Sequence, residues 1–137
     1  RFWPDLDGML AAVDIVSLHC PATAATHHLL SRERIARLKP TAYVVNTARG
    51  GVADEAALCD LLEAGKLAGV GLDVFEGEPR VNPRLIAAAR AGKAMLLPHL
   101  GSGTIQSRVR MGERVLANVE AFVAGTALPN PVHAAAL

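Results

Sequence analysis

The sequence predicts an α/β fold built on a parallel sheet, and three observations predict it. Four short apolar runs, at 14–19, 42–46, 69–75 and 94–97, the second rich in β-branched residues, have the near-continuous apolarity of strands covered by other layers. Between them lie segments whose apolar residues recur at helical spacing and are bracketed by capping and stop residues. The connections are short, as βαβ units require, which implies right-handed crossovers and helices on both faces of the sheet.

Each element has its own justification. Residues 5–12 read as a short helix weakened by Gly8, with Asp5 as N-cap and Leu6, Met9, Leu10 and Val13 as the apolar face. The strand at 14–19 stops at Cys20-Pro21, because proline cannot donate to a ladder. Ser31 caps a second helix that runs to Leu38 and closes before Pro40. After the strand at 42–46, Asp54 caps a helix over 55–64 with Ala57, Leu58, Leu61 and Leu62 on one stripe and Gly65 at its end.

The strand at 69–75 contains Gly69 and Gly71, and glycine inside a strand often marks close approach by another backbone or a ligand. Asn82 and Pro83 form the cap and first position of a helix ending near Gly92. The last strand, 94–97, exits through Pro98-His99-Leu100-Gly101-Ser102. The longest helix, from Thr104 to about Ala124, carries Ile105, Val109, Gly112, Leu116, Val119 and Val123 at helical spacing and ends at Gly125; Arg108, Arg110, Arg114 and Glu120 form a solvated face. Ala134-Ala135-Ala136 reads as a frayed tail.

Composition narrows the function. The chain has 137 residues, half of them apolar, enough for one domain with a real core. A formal charge of +1 with both signs interspersed, and few aromatics, argue against a nucleic-acid partner. No apolar run approaches the roughly 20 residues needed to span a bilayer, so a membrane partner is not expected and a cytoplasmic location is. Cys20 and Cys59 lack metal-ligand spacing and read as free thiols; His27, His28 and His133 lack partners for a metal and read as surface residues. The start at Arg1-Phe2-Trp3-Pro4, without methionine, reads as the later part of a longer chain.

In a parallel sheet all strand carboxyl ends share one edge, and exit loops there bind ligands while the sheet beneath stays rigid. Three exit loops each supply an ionisable residue: Arg49 after the second strand, Glu78 after the third, His99 after the fourth. A histidine for proton exchange, a carboxylate favouring its imidazolium, and an arginine whose planar fork holds a carboxylate form one chemical kit. Asp73 is expected inside its strand, where an unpaired charge is costly. It either accepts backbone hydrogen bonds to tie down a loop or meets a ligand's amide, and spacing alone leaves both open.

The segments Asn46-Thr47-Ala48-Arg49-Gly50-Gly51, Gly71-Leu72-Asp73-Val74-Phe75-Glu76-Gly77-Glu78-Pro79 and Pro98-His99-Leu100-Gly101-Ser102 resemble the motifs of the NAD(P)-dependent D-2-hydroxyacid dehydrogenases, most closely the glyoxylate/hydroxypyruvate reductase branch. The resemblance runs from Asp14 to about Val132. It implies the second half of a doubly wound, Rossmann-type cofactor domain over residues 1–103, followed by a crossover helix and tail over 104–137 that return to the substrate domain.

It also implies roles. Arg49 holds the substrate carboxylate and polarises the 2-oxo group, His99 exchanges the proton, and Glu78 supports His99. Cofactor contacts, to NAD or NADP, fall to Cys20, Thr26, Thr47, Ala48, Arg49, Asp73, His99, Gly101 and Ser102, with Asp73 meeting the nicotinamide carboxamide. The expected partner is a small 2-oxo or 2-hydroxy acid, with a homodimer as the full-length form and no metal.

The family's glycine-rich G-x-G-x-x-G turn does not occur in these residues; Gly101-Ser102-Gly103 follows the last strand and lacks the third glycine. Residues 1–137 alone are therefore expected neither to hold a dinucleotide tightly nor to turn over. The competing reading is a cofactor-sensing module like the corepressors of the same fold. A formate enzyme is disfavoured, since that branch carries glutamine where Glu78 stands.

Overall fold

The computed structural model describes residues 2–132, which leaves Arg1, His133 and the alanine tail outside the described residues. Two compact units are resolved, 1–99 and 100–137. In the first, α1 (Leu6–Ala12), β1 (Ile15–Leu18), α2 (Arg32–Ile35), β2 (Tyr43–Asn46), α3 (Glu55–Glu63), β3 (Gly69–Leu72), α4 (Pro83–Arg90) and β4 (Ala94–Leu96) follow in order. All three strand pairings are parallel, in the spatial order β1-β2-β3-β4.

Register explains the core. Val16, Val44, Val70 and Ala94 form one row across the sheet, and Leu18, Asn46, Leu72 and Leu96 the next. These rows meet Leu10, Leu30, Ile35, Leu58, Leu62 and Leu85, all essentially excluded from water. Each such leucine contributes about 1.5–3 kcal/mol relative to an exposed one.

Within the first unit, helices cover one face of this sheet, where the sequence predicted both. Ile15, Tyr43 and Met95, on the opposite face, are 64%, 52% and 68% exposed. The strand order gives the reason: three crossovers of one hand that step across the sheet in one direction must all place their helices on the same side. Accordingly α2 packs against α3 and α3 against α4, with α1 beside α2.

Local boundaries follow the capping chemistry. Asp5, Ser31, Asp54 and Asn82 each accept a backbone N–H from the first turn of the helix they precede. Gly65, at φ +66°, closes α3 in a Schellman turn: Lys66 N–H reaches the Leu61 carbonyl and Gly65 N–H that of Leu62. The second helix is shorter than expected because Arg37 and Leu38 donate to carbonyls three residues back, tightening the chain before Pro40. A 3₁₀ turn, Gly50–Val52, is an addition that periodicity did not signal. The third strand ends at Leu72, leaving Asp73 and Phe75 in the exit loop.

The second unit is α5 (Ile105–Val123) with its flanks. Thr104 caps its first turn. Asn130 is bound to it twice, by the Arg114 guanidinium at 2.7 Å and through its own N–H to the Asn118 side chain at 3.2 Å. None of the side chains of α5 is buried. Among the described residues, no helix is long and apolar enough to cross a membrane.

Candidate active site

The carboxyl ends of β1, β2, β3 and β4 carry the loops that build the site, and buried polar side chains shape those loops. Asn46, the last residue of β2, is 1% exposed. Its Nδ2 donates to the Arg49 carbonyl at 2.9 Å, and its Oδ1 accepts from Ala48 N–H at 3.0 Å. One amide thus satisfies two backbone groups and folds residues 47–49 back over the strand end. The Arg49 guanidinium donates to the Ala48 carbonyl at 2.7 Å and is otherwise turned to solvent. Sequence reading placed Asn46 in the motif without assigning it a task; the signal was an amide where the neighbouring strands end in leucine.

On the next loop, Glu78 Oε1 accepts Phe75 N–H at 2.9 Å. Its Oε2 lies 2.8 Å from His99 Nδ1. The His99 bond, then the Phe75 N–H, hold the Glu78 carboxyl below the usual glutamate range; the positive charges of His99 and Arg49 act in the same direction and partial burial opposes them. Arg49, Glu78 and His99 therefore belong to one electrostatic neighbourhood. His99 sits at φ +56°, a conformation uncommon for residues with a side chain and often found where a site dictates the backbone. The Glu78–Pro79 peptide is cis.

Two clefts open along this edge. One of about 570 Å³ is lined by His19, Cys20, Pro21, Ala22, Thr47, Ala48 and Arg49. A smaller one of about 200 Å³ is lined by Phe75, Glu78, Pro79, Val81, Pro98 and His99. Cys20, Thr47, Ala48 and Arg49 are thus brought together. His19, absent from the sequence-based set, joins them with its Nε2 bonded to Ser17 Oγ at 2.7 Å.

Thr26 does not line either cleft. Its hydroxyl donates to the Pro21 carbonyl and accepts Thr23 N–H at 2.8 Å, so it closes its own loop. Asp73 is 4% exposed and stands just past β3, with its N–H bonded to the Asn46 carbonyl at 3.0 Å. Gly101 and Ser102 fall in the second unit. His28, expected at the surface, is half-buried and pairs with Glu76 at 2.6 Å. Both cysteines are free, and burial pushes the Cys59 thiol up. Among the described residues no cluster of His, Cys, Asp and Glu is placed to hold a metal ion.

A parallel sheet with helices on one face, and an arginine, a bonded histidine–glutamate pair and an open cleft at its carboxyl edge, define part of a dinucleotide-dependent domain. The chain belongs to the D-isomer specific 2-hydroxyacid dehydrogenases: residues 2–101 match that family's NAD binding domain. It is 43% identical over 129 residues to a glyoxylate reductase of Thermofilum pendens, covering 94% of this chain and 38% of that protein.

Solved structures agree. A Sinorhizobium meliloti NADPH-dependent glyoxylate/hydroxypyruvate reductase in complex with NADP and malonate superposes with a TM-score of 0.89 at 36% identity, over 95% of this chain and 40% of the other. An Aquifex aeolicus D-lactate dehydrogenase complexed with NAD and lactic acid gives 0.80 at 34% identity, over 90% and 41%. The chain therefore spans about two fifths of the length of these three relatives. The open cleft beside Arg49 offers polar groups and a cation that fit part of a dinucleotide, whereas these residues include no glycine-rich turn for the pyrophosphate.

Proposed function

We propose that this chain carries the catalytic corner of a dehydrogenase that interconverts a small 2-oxo acid and its D-2-hydroxy acid, with glyoxylate or hydroxypyruvate as substrate and NAD or NADP as cofactor. The observation that carries the reading is the Glu78–His99 bond at the same strand edge as Arg49. The names borne by the similar reductases support the substrate class.

When bound, the nicotinamide exchanges a hydride with the substrate's C2. Arg49 pairs with the substrate carboxylate and polarises the 2-oxo group, because its fork offers parallel N–H donors. His99 commits Nδ1 to Glu78, which leaves Nε2 to give a proton to the carbonyl oxygen on reduction and to take it back on oxidation. Glu78 orients the ring and balances the charge of the proton-carrying form. Asp73 would accept from the nicotinamide carboxamide, and Cys20, Thr47 and Ala48, which line the larger cleft, would hold the cofactor there. The full-length protein is proposed to act as a cytoplasmic homodimer.

The test uses the full-length protein with NADH and NADPH against a panel of 2-oxo acids. Loss of reduced-nicotinamide absorbance with glyoxylate or hydroxypyruvate, and its disappearance in H99Q, is the expected result. No turnover with any acid of the panel would overturn the reading.

A further inference from the structure

The first residue of α3 is the place in the fold whose chemistry the reaction above leaves unused. Asp54 already caps this helix, accepting Ala57 N–H at 2.8 Å. An acid next to the cap normally stays in water, where the helix dipole favours it at no desolvation cost. Glu55 instead is buried, 9% exposed, and its Oε2 accepts Glu76 N–H at 3.1 Å, 21 residues further along the chain.

That contact lands on the catalytic turn. Phe75 N–H and Glu76 N–H are consecutive amides; the first donates to Glu78 and the second to Glu55. The same peptide is pressed against the Arg49 loop, because a Cβ on Gly50 would lie 2.1 Å from the Phe75 carbonyl carbon and oxygen and 2.5 Å from the Glu76 nitrogen. From the third side, His28 Nε2 holds the Glu76 carboxylate at 2.6 Å while His28 N–H donates to the Gly51 carbonyl at 2.8 Å. Three loops of the same edge are thus tied together at Glu76, and Glu55 is the buried anchor among those ties.

We propose that Glu55 is a positioning residue for the Glu78–His99 pair: by holding the Glu76 amide it fixes the turn from which Glu78 reaches His99. The role rests on the functional reading above but concerns a residue that touches neither substrate nor cofactor. Glu55→Ala removes the acceptor and frees the turn. Glu55→Gln keeps a carbonyl oxygen for the same N–H and removes only the charge.

The test is made on the full-length protein with two readouts. The first is the kcat/KM profile against pH with NADH or NADPH and the preferred 2-oxo acid. In E55A we expect kcat to fall about 10-fold or more with KM for the acid within about 3-fold, since a loss confined to the transition state appears in kcat. The acid limb should also move up, as Glu78 loses the fixed turn that keeps its His99 and Phe75 partners in place. E55Q should retain the wild-type profile. The second readout is direct titration of the Glu78 side-chain carboxyl by carbon-13 NMR in cofactor-free protein, where the same upward displacement is expected in E55A and none in E55Q.

If E55A does not accumulate as folded protein, E55D, whose carboxylate falls one methylene short of the amide, is titrated in its place with the same expected direction. An unmoved Glu78 titration in E55A or E55D overturns the positioning role, as does an E55Q profile as altered as that of E55A. Absence of turnover by the wild type would instead overturn the functional reading, and the NMR titration would still decide the role of Glu55.

Discussion

Glu78 Oε2 and His99 Nδ1 lie 2.8 Å apart, and the other oxygen of the same carboxylate is held by Phe75 N–H at 2.9 Å. The carboxylate is therefore fixed at both ends, and the imidazole it holds has its Nδ1 committed to it. E78Q keeps the shape and removes the charge. We expect kcat for reduction of the 2-oxo acid to fall by about 10²-fold, the scale of a general-acid contribution, with a smaller change in KM. The pH dependence has a definite sign: the folded protein holds Glu78 below its unfolded value, so the stabilisation is complete above the ordinary glutamate range and is lost as pH falls through the lowered one. A kcat/KM profile recorded on wild type and E78Q should show an acid limb in the first that is absent from the second.

Asn46 offers a separate handle on Arg49. N46A leaves the Arg49 carbonyl and Ala48 N–H without their buried partner, which costs about 1–3 kcal/mol for an unsatisfied group. Urea unfolding should show that loss, and KM for the 2-oxo acid should rise more than kcat falls, because the guanidinium loses its fixed mount. N46D retains an acceptor for Ala48 but no donor for the Arg49 carbonyl, and should fare no better.

Gly50 and Gly71 make a paired comparison. A methyl group on Gly50 would overlap the Phe75 backbone at 2.1 Å, a clash that no side-chain rotation relieves. G50A should therefore force the loops of Arg49 and Glu78 apart, lowering Tm and abolishing turnover together. A Cβ on Gly71 meets only a Val45 methyl at 3.8 Å, an ordinary contact, so G71A should fold and change stability by less than about 1 kcal/mol. Equal behaviour of the two variants in thermal melts would contradict the packing described.

Away from the site, Arg84 bridges Asp60 and Glu63 at 2.6 Å each, and Arg32 also meets Asp60. Hydrogen bonds from Arg84 hold both carboxyls below their usual range, and the arginine itself is raised in return. These groups are open to solvent, so their pairing should be weak and screened. R84M should leave catalysis unchanged. Its effect on Tm should be small in dilute buffer, smaller still in molar salt, and should vanish as pH drops below the carboxylate range, where the partners are protonated in wild type as well.

Much of this site was legible in the residues. Arg49, Glu78 and His99 each follow an apolar run that ends abruptly, and parallel strands place such ends together. The helix caps Asp5, Ser31, Asp54 and Asn82 were readable because a side chain that bonds a backbone amide two or three residues on is a local matter. The bonds of Thr26 were not legible, although they too are local: its hydroxyl joins Pro21 and Thr23 inside its own loop.

By itself, then, the sequence determined the parallel alternation of strands and helices, the polarity of each strand and the loop on which each ionisable group sits, since hydrophobic period and capping act over a few residues. Only the tertiary structure decided that the helices share one face, that Asn46 folds the Arg49 loop, and that Glu55 reaches Glu76 across 21 residues. Those outcomes depend on which rows of side chains come into register and on where a buried polar atom finds its partner, and burial couples residues that no spacing along the chain connects.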